Sequence, residues 1–501
     1  MVSGTARSAL PTSRLCTLAT LLIALCAVLL PPRAAHAADC TRSGSYWAPA
    51  GFVSVKAYGA AGDGITDDSV ALNCAFAGGG DVWLPTGTYA VAGDLSLPDA
   101  LTIAGESDSA TPTVIKATAP ALVMGETSAD TNTTRTGTIT VQDLFLDGIE
   151  LGVNGTKTSA VVDRVVFSDS QGYLSVLDSP ASYNLVLVHL TGTSTVRDSL
   201  FLHGAQSTDA VPISLYRTSG LTIRENIVGL SLAQTSWLGQ WPGAQSWTSQ
   251  SADGTANPQP AAVTLQSKLA ALQNLLDLGD SQGQWRSGLY TGFDTGLVVD
   301  SNVLNADPAT PSTRDHAAYL KGVSGQYTRN WVRGWPDSAY GGVKARNTEG
   351  PLVIGANYLY DTPVLLYAYS DATYPEALTD TTVCGNALTV VSTSDPTHAG
   401  IVYYENTQPT ALSGNVFYDN VFSDPGHTTG ITVGQLSPAV LTQTELDAFT
   451  SHTSNTYSDN GQSVPITVPS GLTAHTDSGA PATDSCSGLT VPSYTIPAYG
   501  S

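Results

Sequence analysis

Residues 53–91 read VSVKAYGAAGDGITDDSVALNCAFAGGGDVWLPTGTYAV. Asp67 is a suitable helix N-cap, and Val70, Ala71, Cys74 and Ala75 recur at helical spacing until Gly78, Gly79 and Gly80 stop the run. Two short alternating segments follow, VWLP and GTYAV, which predict a turn-linked pair of strands. Asp63, Asp67 and Asp68 form an acidic cluster that reads as cap and turn chemistry.

Downstream the chain repeats itself. An Asn followed by two mostly apolar residues stands at Asn302, Asn330, Asn357, Asn386 and Asn415, spaced by 28, 27, 29 and 29 residues. Asp143, Arg164, Ser199 and Asn226 extend the pattern upstream. A period of this length built from strands and Gly-rich corners means a solenoid. Stacked Asn side chains at one corner satisfy each other's amides and nearby backbone groups, which is a structural role.

The 53–91 block resembles the N-terminal signature of the pectate lyase superfamily, in which YGAxGDGxTDD, a short helix, GGG and a V-x-LPxGTY strand precede a right-handed parallel β-helix. The resemblance implies an all-β, right-handed single-stranded parallel β-helix with an N-terminal helix cap. Lyases, hydrolases, epimerases and phage tailspikes share the signature, so activity must be argued elsewhere. The expected organisation is a signal peptide over 1–37, an N-terminal cap with the first strands over 38–95, the β-helix over 96–436, and a C-terminal cap and tail over 437–501.

The signal peptide rests on Arg7 and Arg14, an apolar run from about Leu15 to Leu30, and the small-residue site Ala35-His36-Ala37. Secretion, extracellular or periplasmic, is therefore expected. Cleavage removes three of the 20 bases, leaving 17 against 42 acids and moving the formal charge from −22 to −25. Such a field does not attract nucleic acid or an anionic membrane, and neither is expected as a partner. Later apolar runs are too short to cross a bilayer. A monomer is expected. The four cysteines outside the signal suggest two disulfides in an exported chain, and Cys40–Cys74 with Cys384–Cys486 ties each terminal segment to the body.

Asn226 and Asn302 lie 76 residues apart, more than two regular coils contain. An insertion is predicted over about 230–285, partly helical from the spacing of Leu265, Leu269, Leu272 and Leu276. Its Trp237, Trp241, Trp247 and Trp285 either anchor it by burial or wall a sugar-binding cleft. Near the other end, TQTELDAFTSHTSNTY predicts a capping helix begun by Thr442 or Thr444.

The chemistry concentrates in 314–369. Arg314, Lys321, Arg329, Arg333, Lys344 and Arg346 fall here, and no Lys or Arg follows Arg346. Strand alternation in HAAYLKG, GGVKARN and PVLLYAY sends Ala318, Leu320, Val343, Ala345, Val364, Leu366 and Ala368 inward. Tyr319, Lys321, Lys344, Arg346, Tyr367 and Tyr369 then face out. Stacked coils turn these into one surface of cations and phenols suited to an acidic polysaccharide, to which Arg314 and Trp335 are added as binding residues.

The reaction expected is β-elimination on a uronic acid. A cation on the carboxylate stabilises the enolate-like charge that develops when the C5 proton leaves, and the departing O4 needs a proton. Arg346 is the neutraliser, Lys321 the candidate base, and Tyr319 or His316 the proton donor. Lys321 and Arg346, one coil apart, resemble the Lys and Arg pair of the β-helical alginate and chondroitin lyases, and that resemblance implies calcium near the carboxylate, although no carboxylate cluster stands out for it. His316 before Arg346 is similar in logic to the alginate C5-epimerases, without their DPH motif. The NTD, paired-Asp, GHG and RIK motifs of polygalacturonases are absent, and hydrolysis would draw on Asp294, Asp315, Asp337 or Asp361. A C5-epimerase or hydrolase on the same groove, and a non-catalytic glycan-binding surface protein, are the alternatives.

Overall fold

The computed structural model describes residues 40–107, 109–125, 135–168, 182–202, 210–230, 237–247, 264–272, 287–306, 316–335, 342–369, 376–389, 400–405, 409–424, 426–428, 430–434 and 441–496. The expected signal peptide, Arg314, Asp315, Asp337 and Trp285 lie outside these residues. Every strand-to-strand ladder between the described strands is parallel, and strands inside the stack pair with the one a coil earlier and the one a coil later. The chain from Cys40 onward is thus a parallel β-helix, as the repeat implies.

Each coil contributes strands to three faces. The first contains Ser194–Arg197, Leu221–Arg224, Leu297–Asp300, Gly325–Thr328 and Leu352–Gly355; the second contains Leu200–Phe201, Ile227–Val228, Val303–Asn305, Trp331–Arg333 and Tyr358–Tyr360. The third is an 11-stranded sheet running from Leu122–Gly125 to Ile466–Thr467. One continuous core of Val, Ile, Leu, Phe and Ala fills the space between them. The two strands expected to pair across a turn do not do so. Asp81–Leu84 pairs with Phe52–Ser54 and Leu101–Gly105, whereas Gly87–Val91 pairs with Asp63–Asp67 and Thr113–Ala117. In a solenoid, strands consecutive in sequence sit on different faces.

The corner between the first two faces carries the Asn ladder. Asn226, Asn302, Asn330, Asn357 and Asn386 each donate their side-chain amide to the Oδ1 of the next Asn at 2.9–3.1 Å. The ladder continues through Asn420 to Asn455. Asn415 is not a rung: its Oδ1 accepts from the Thr381 amide and its Nδ2 donates to Leu378. Upstream, Ser199 occupies a rung, since its hydroxyl accepts from Val165 and its amide donates to Asn226. Asp143 and Arg164 stand one position early. They belong to the preceding corner series of left-handed residues, with Asp198, Glu225, Ser301, Arg329 and Ala356. A two-residue corner needs one backbone turned to positive φ, and the side chain after it faces inward along the stack.

The N-terminal helix is Ser69–Ala77, one residue later than expected, with Asp68 rather than Asp67 at its N-cap. Val70 is exposed, while Ala71, Leu72, Ala75 and Phe76 enter the core. All three aspartates are structural. Asp68 accepts from the Ala61 and Gly62 amides, and Asp67 accepts from Ser69 and Ala92. Asp63 accepts from the amides of Thr66 and Ile65, which lowers its pKa to about 2. Both disulfides are formed, Cys40–Cys74 and Cys384–Cys486, with Cα atoms 5.1 and 6.1 Å apart.

The insertion contributes Pro242–Trp247 and the helix Leu265–Leu272. Trp237, Trp241, Trp247, Leu265 and Leu269 are buried against the outer side of the second face, on Phe145, Val166, Leu200, Ile227, Val303 and Trp331. The indole of Trp247 also donates to the Asp198 carbonyl at 2.8 Å. Of the two roles considered for these rings, burial holds for the three that are described. The tail joins the same cluster through Ile496 and Tyr494, so Cys486 is not its sole anchor. The expected capping helix shrinks to Gln443–Leu446, held by a capping box of Thr442 and Glu445. Phe449–His452 then returns as a strand paired with Asn415–Tyr418, because its Phe and Thr suit a pleated, half-buried rung. Among the described residues no helix is long and apolar enough to cross a membrane.

Candidate functional site

The third face presents the residues of interest. Tyr319 aligns with Lys344 and Leu365, and Lys321 aligns with Arg346 and Tyr367. Alternate positions Ala318, Leu320, Val343, Ala345, Val364, Leu366 and Ala368 are core residues. The inward and outward sets are those expected from alternation, and the register brings Lys321 and Arg346 side by side on neighbouring strands. From Tyr216 to Tyr404 the two outward rows contain no Asp or Glu: one runs Ser214, Tyr290, Tyr319, Lys344, Leu365, Val402 and the other Tyr216, Gly292, Lys321, Arg346, Tyr367, Tyr404.

The cations are seated on rings. Arg346 lies over Tyr369 at 4.3 Å, and its Nη1 donates to the Tyr319 hydroxyl at 2.6 Å. Lys321 lies over Phe293 at 5.1 Å. Lys344 lies over Tyr367 at 4.2 Å and Tyr404 at 5.1 Å. Attraction of a cation to the negative face of an aromatic ring helps to hold each head group in place. Asn347 braces the edge, exchanging hydrogen bonds with the backbone of Tyr369 at 2.8 Å in both directions. Phe293, which sequence reasoning did not single out, supports Lys321 from the preceding coil. Its signal was positional: it follows the strand that stacks beneath Ala318–Lys321.

Exposure sorts the expected residues. Lys321, Arg346 and Tyr367 are half-buried and Tyr369 is 37% exposed, so these four reach solvent on this face. Tyr319, His316 and Lys344 are on the same face but only 5–6% exposed. The His316 ring stacks on Tyr319 at 5.0 Å, so it buttresses the phenol from behind. Lys344 was expected to meet substrate; buried against the stacked pair Tyr367 and Tyr404, it instead supplies charge from beneath the surface. Trp335 was also expected to bind substrate. It is completely buried in the core, where a ring cannot stack on a sugar, and that assignment is withdrawn.

Of the acids named for hydrolysis, Asp315 and Asp337 lie outside the described residues. Asp294 is fully buried and accepts from the Thr218 amide and hydroxyl at 2.7 Å and from the Gly292 amide at 3.0 Å. Burial outweighs these bonds and pushes its pKa up to about 7. Among the described residues no group of three or more His, Cys, Asp or Glu is placed to hold a metal ion. Calcium needs a set of oxygen ligands, and the carboxylate-free outward rows do not fit the ion that the lyase resemblance implies, so no chemical step is assigned to it.

Residues 52–179 match the model of the family described as Rhamnogalacturonase A/epimerase, pectate lyase-like. This match and the parallel β-helix support the pectate lyase-like superfamily as the chain's class. The matched residues do not include 314–369. The pre-neck appendage protein of Bacillus phage B103 is 23% identical over 399 residues, 79% of this chain and 38% of that protein. The chain thus spans about two fifths of the length of that curated relative. Similar solved structures include the Azotobacter vinelandii mannuronan C-5 epimerase AlgE4 A-module, with a TM-score of 0.40 at 14% identity over 86% of this chain and 100% of that one. The Dettilon tailspike protein also has a TM-score of 0.40 at 14% identity, over 83% of this chain and 68% of that one.

Proposed function

We propose that this chain is a secreted enzyme that cleaves a uronate-containing polysaccharide by β-elimination on the third face. The observation that carries the reading is the trio Lys321, Arg346 and Tyr319. Two cations stand side by side in one row, and the guanidinium is hydrogen-bonded to the phenol. The carboxylate-free rows in a protein of formal charge −22 concentrate a local positive field where a polyanion can lie.

In this scheme Arg346 holds the substrate carboxylate and spreads the negative charge that develops as C5 loses its proton. Lys321, as the amine, takes that proton. The electron pair forms the C4–C5 double bond, the C4–O4 bond breaks, and the Tyr319 hydroxyl gives its proton to the departing O4. Arg346 donating to the phenol oxygen stabilises the phenolate left behind, and the proton on Lys321 returns through solvent. Tyr367 and Tyr369 offer ring faces to the sugars on either side of the cleaved bond.

A second reading, glycan binding without cleavage, is favoured by one observation: Tyr319, His316 and Lys344 are almost fully covered. The deciding experiment incubates the purified protein with alginate, polygalacturonate and glycosaminoglycans. Ultraviolet absorbance of an unsaturated uronate, rising with reducing ends, supports elimination. Reducing ends without absorbance point to hydrolysis, altered uronate composition by NMR without cleavage points to C5 epimerisation, and binding alone supports the second reading.

A further inference from the structure

The cation-and-ring pattern does not stop at Lys321. One coil beyond Phe293, Arg217 lies over the ring of Tyr216 at 5.1 Å. Tyr216 in turn meets Phe293 edge-on at 5.8 Å. The outer edge of the third face therefore carries an unbroken series: Arg217, Tyr216, Phe293, Lys321, Arg346, Tyr369. Tyr216, Gly292, Lys321 and Arg346 occupy successive strands of one row. Three strand spacings of ~4.8 Å put the Arg217 end of the series about 14 Å from Arg346 along the solenoid axis.

Two backbone features keep this series open. Arg217 sits at a corner with φ of +54°, donating its amide to Gly292 at 2.8 Å. A long side chain there is held in a left-handed conformation that non-Gly residues adopt uncommonly. Gly322 occupies the corner two coils on, and a Cβ there would stand 2.6 Å from the Phe293 ring. Any larger residue would push that ring from beneath Lys321. Arg217 is exposed, and Tyr216 and Phe293 are half-buried, so the series meets solvent along its length.

We propose that Arg217, seated on Tyr216, is a second carboxylate-binding position on the groove. The preferred ligand is then an oligouronate long enough to reach Arg217 and Arg346 at once. A guanidinium takes a carboxylate in two parallel hydrogen bonds, and two such positions at fixed separation discriminate by chain length and by the spacing of acidic units. This proposal rests on the reading of the groove given under Proposed function.

The test uses the full secreted chain with mannuronate and galacturonate oligomers from dimer to octamer, measuring kcat and KM, or Kd by calorimetry where binding occurs without turnover. Wild type is expected to gain sharply in kcat/KM or affinity once the oligomer reaches both positions. Arg217→Ala should lose roughly 10-fold or more on long oligomers, in KM or Kd, and leave the shortest unchanged. Arg217→Asn, which suits the left-handed backbone, should behave the same, and Arg217→Lys should retain part of the gain. If wild type acts on or binds these oligomers and both the Ala and Asn variants keep its length dependence, the second position is wrong and the groove stands. Should wild type neither bind nor cleave any of them, the groove reading fails and takes this position with it.

Discussion

Arg346 reaches diagonally across two neighbouring strands to donate from Nη1 to the hydroxyl of Tyr319 at 2.6 Å, although its direct register partner is Lys321. The contact joins the two outward rows into one site. Removing the hydroxyl while keeping the ring isolates its role. Tyr319→Phe should lower kcat on a cleaved polyuronate by about 10²–10⁴-fold, the usual contribution of a general acid. KM and melting temperature should change little, because the ring contacts with His316 and Tyr290 survive. A variant with wild-type kcat would remove Tyr319 from the chemistry.

Arg346→Lys keeps a charge but loses the planar fork. Turnover should fall well below wild type, and Arg346→Ala should fall further, with both proteins folded by circular dichroism. If Arg346→Ala instead unfolds the protein, the residue is structural and the site moves elsewhere.

Asp294 makes stability depend on pH in a stated direction. The folded protein holds its proton up to about pH 7, whereas the unfolded chain releases it near the ordinary carboxylate value of about 4. Between those values the native state binds more protons, so this contribution is complete below about pH 4 and is lost as pH rises through about 7. In urea titrations the wild-type midpoint should therefore drop more between pH 5 and pH 8 than that of Asp294→Asn, whose side chain stays neutral. Equal pH slopes in the two proteins would show that the carboxyl is not held protonated.

Asn330 is a central rung. Its Oδ1 accepts from the amide and side chain of Asn302, and its Nδ2 donates to Val299 and Asn357. Asn330→Ala leaves several of these fully buried groups unpaired, at about 1–3 kcal/mol each. Denaturant unfolding should show a loss of a few kcal/mol in stability. A loss below one would mean that water or a neighbour fills the gap.

Trp247→Ala tests whether the insertion is an anchor or part of the site. The ring is buried on Phe145 and bonded to Asp198, on a face other than that of Lys321 and Arg346. Its loss should cost about 3–5 kcal/mol and leave kcat and KM of the folded fraction unchanged. A selective rise in KM without loss of stability would return the tryptophan to the substrate.

Much of the fold was legible because a solenoid repeats its signals. Five Asn positions at near-constant spacing, Gly-rich corners and the 53–91 block are each local, and they agree with one another. Alternation then sorted inward from outward residues on Ala318–Lys321 and Val343–Arg346 without knowledge of their partners. What misled was also local. Asn415 matched the spacing but not the corner, the Thr-rich run after Thr442 had helix-starting chemistry but strand-forming content, and VWLP and GTYAV looked like neighbours because they are close in sequence.

By itself, then, the sequence determined the coil period, the direction of each side chain on its strand, and the kinds of chemistry carried by 314–369. Those depend on covalent order and on the two-residue pleat. The tertiary structure alone decided that Tyr319 is bonded to Arg346, that Lys344 is buried against two stacked phenols, that Trp335 is interior, and that Phe293 and Arg217 extend the row. These depend on how far each coil is offset from the next and on which rings cover which cations, distances set by packing across residues tens of positions apart.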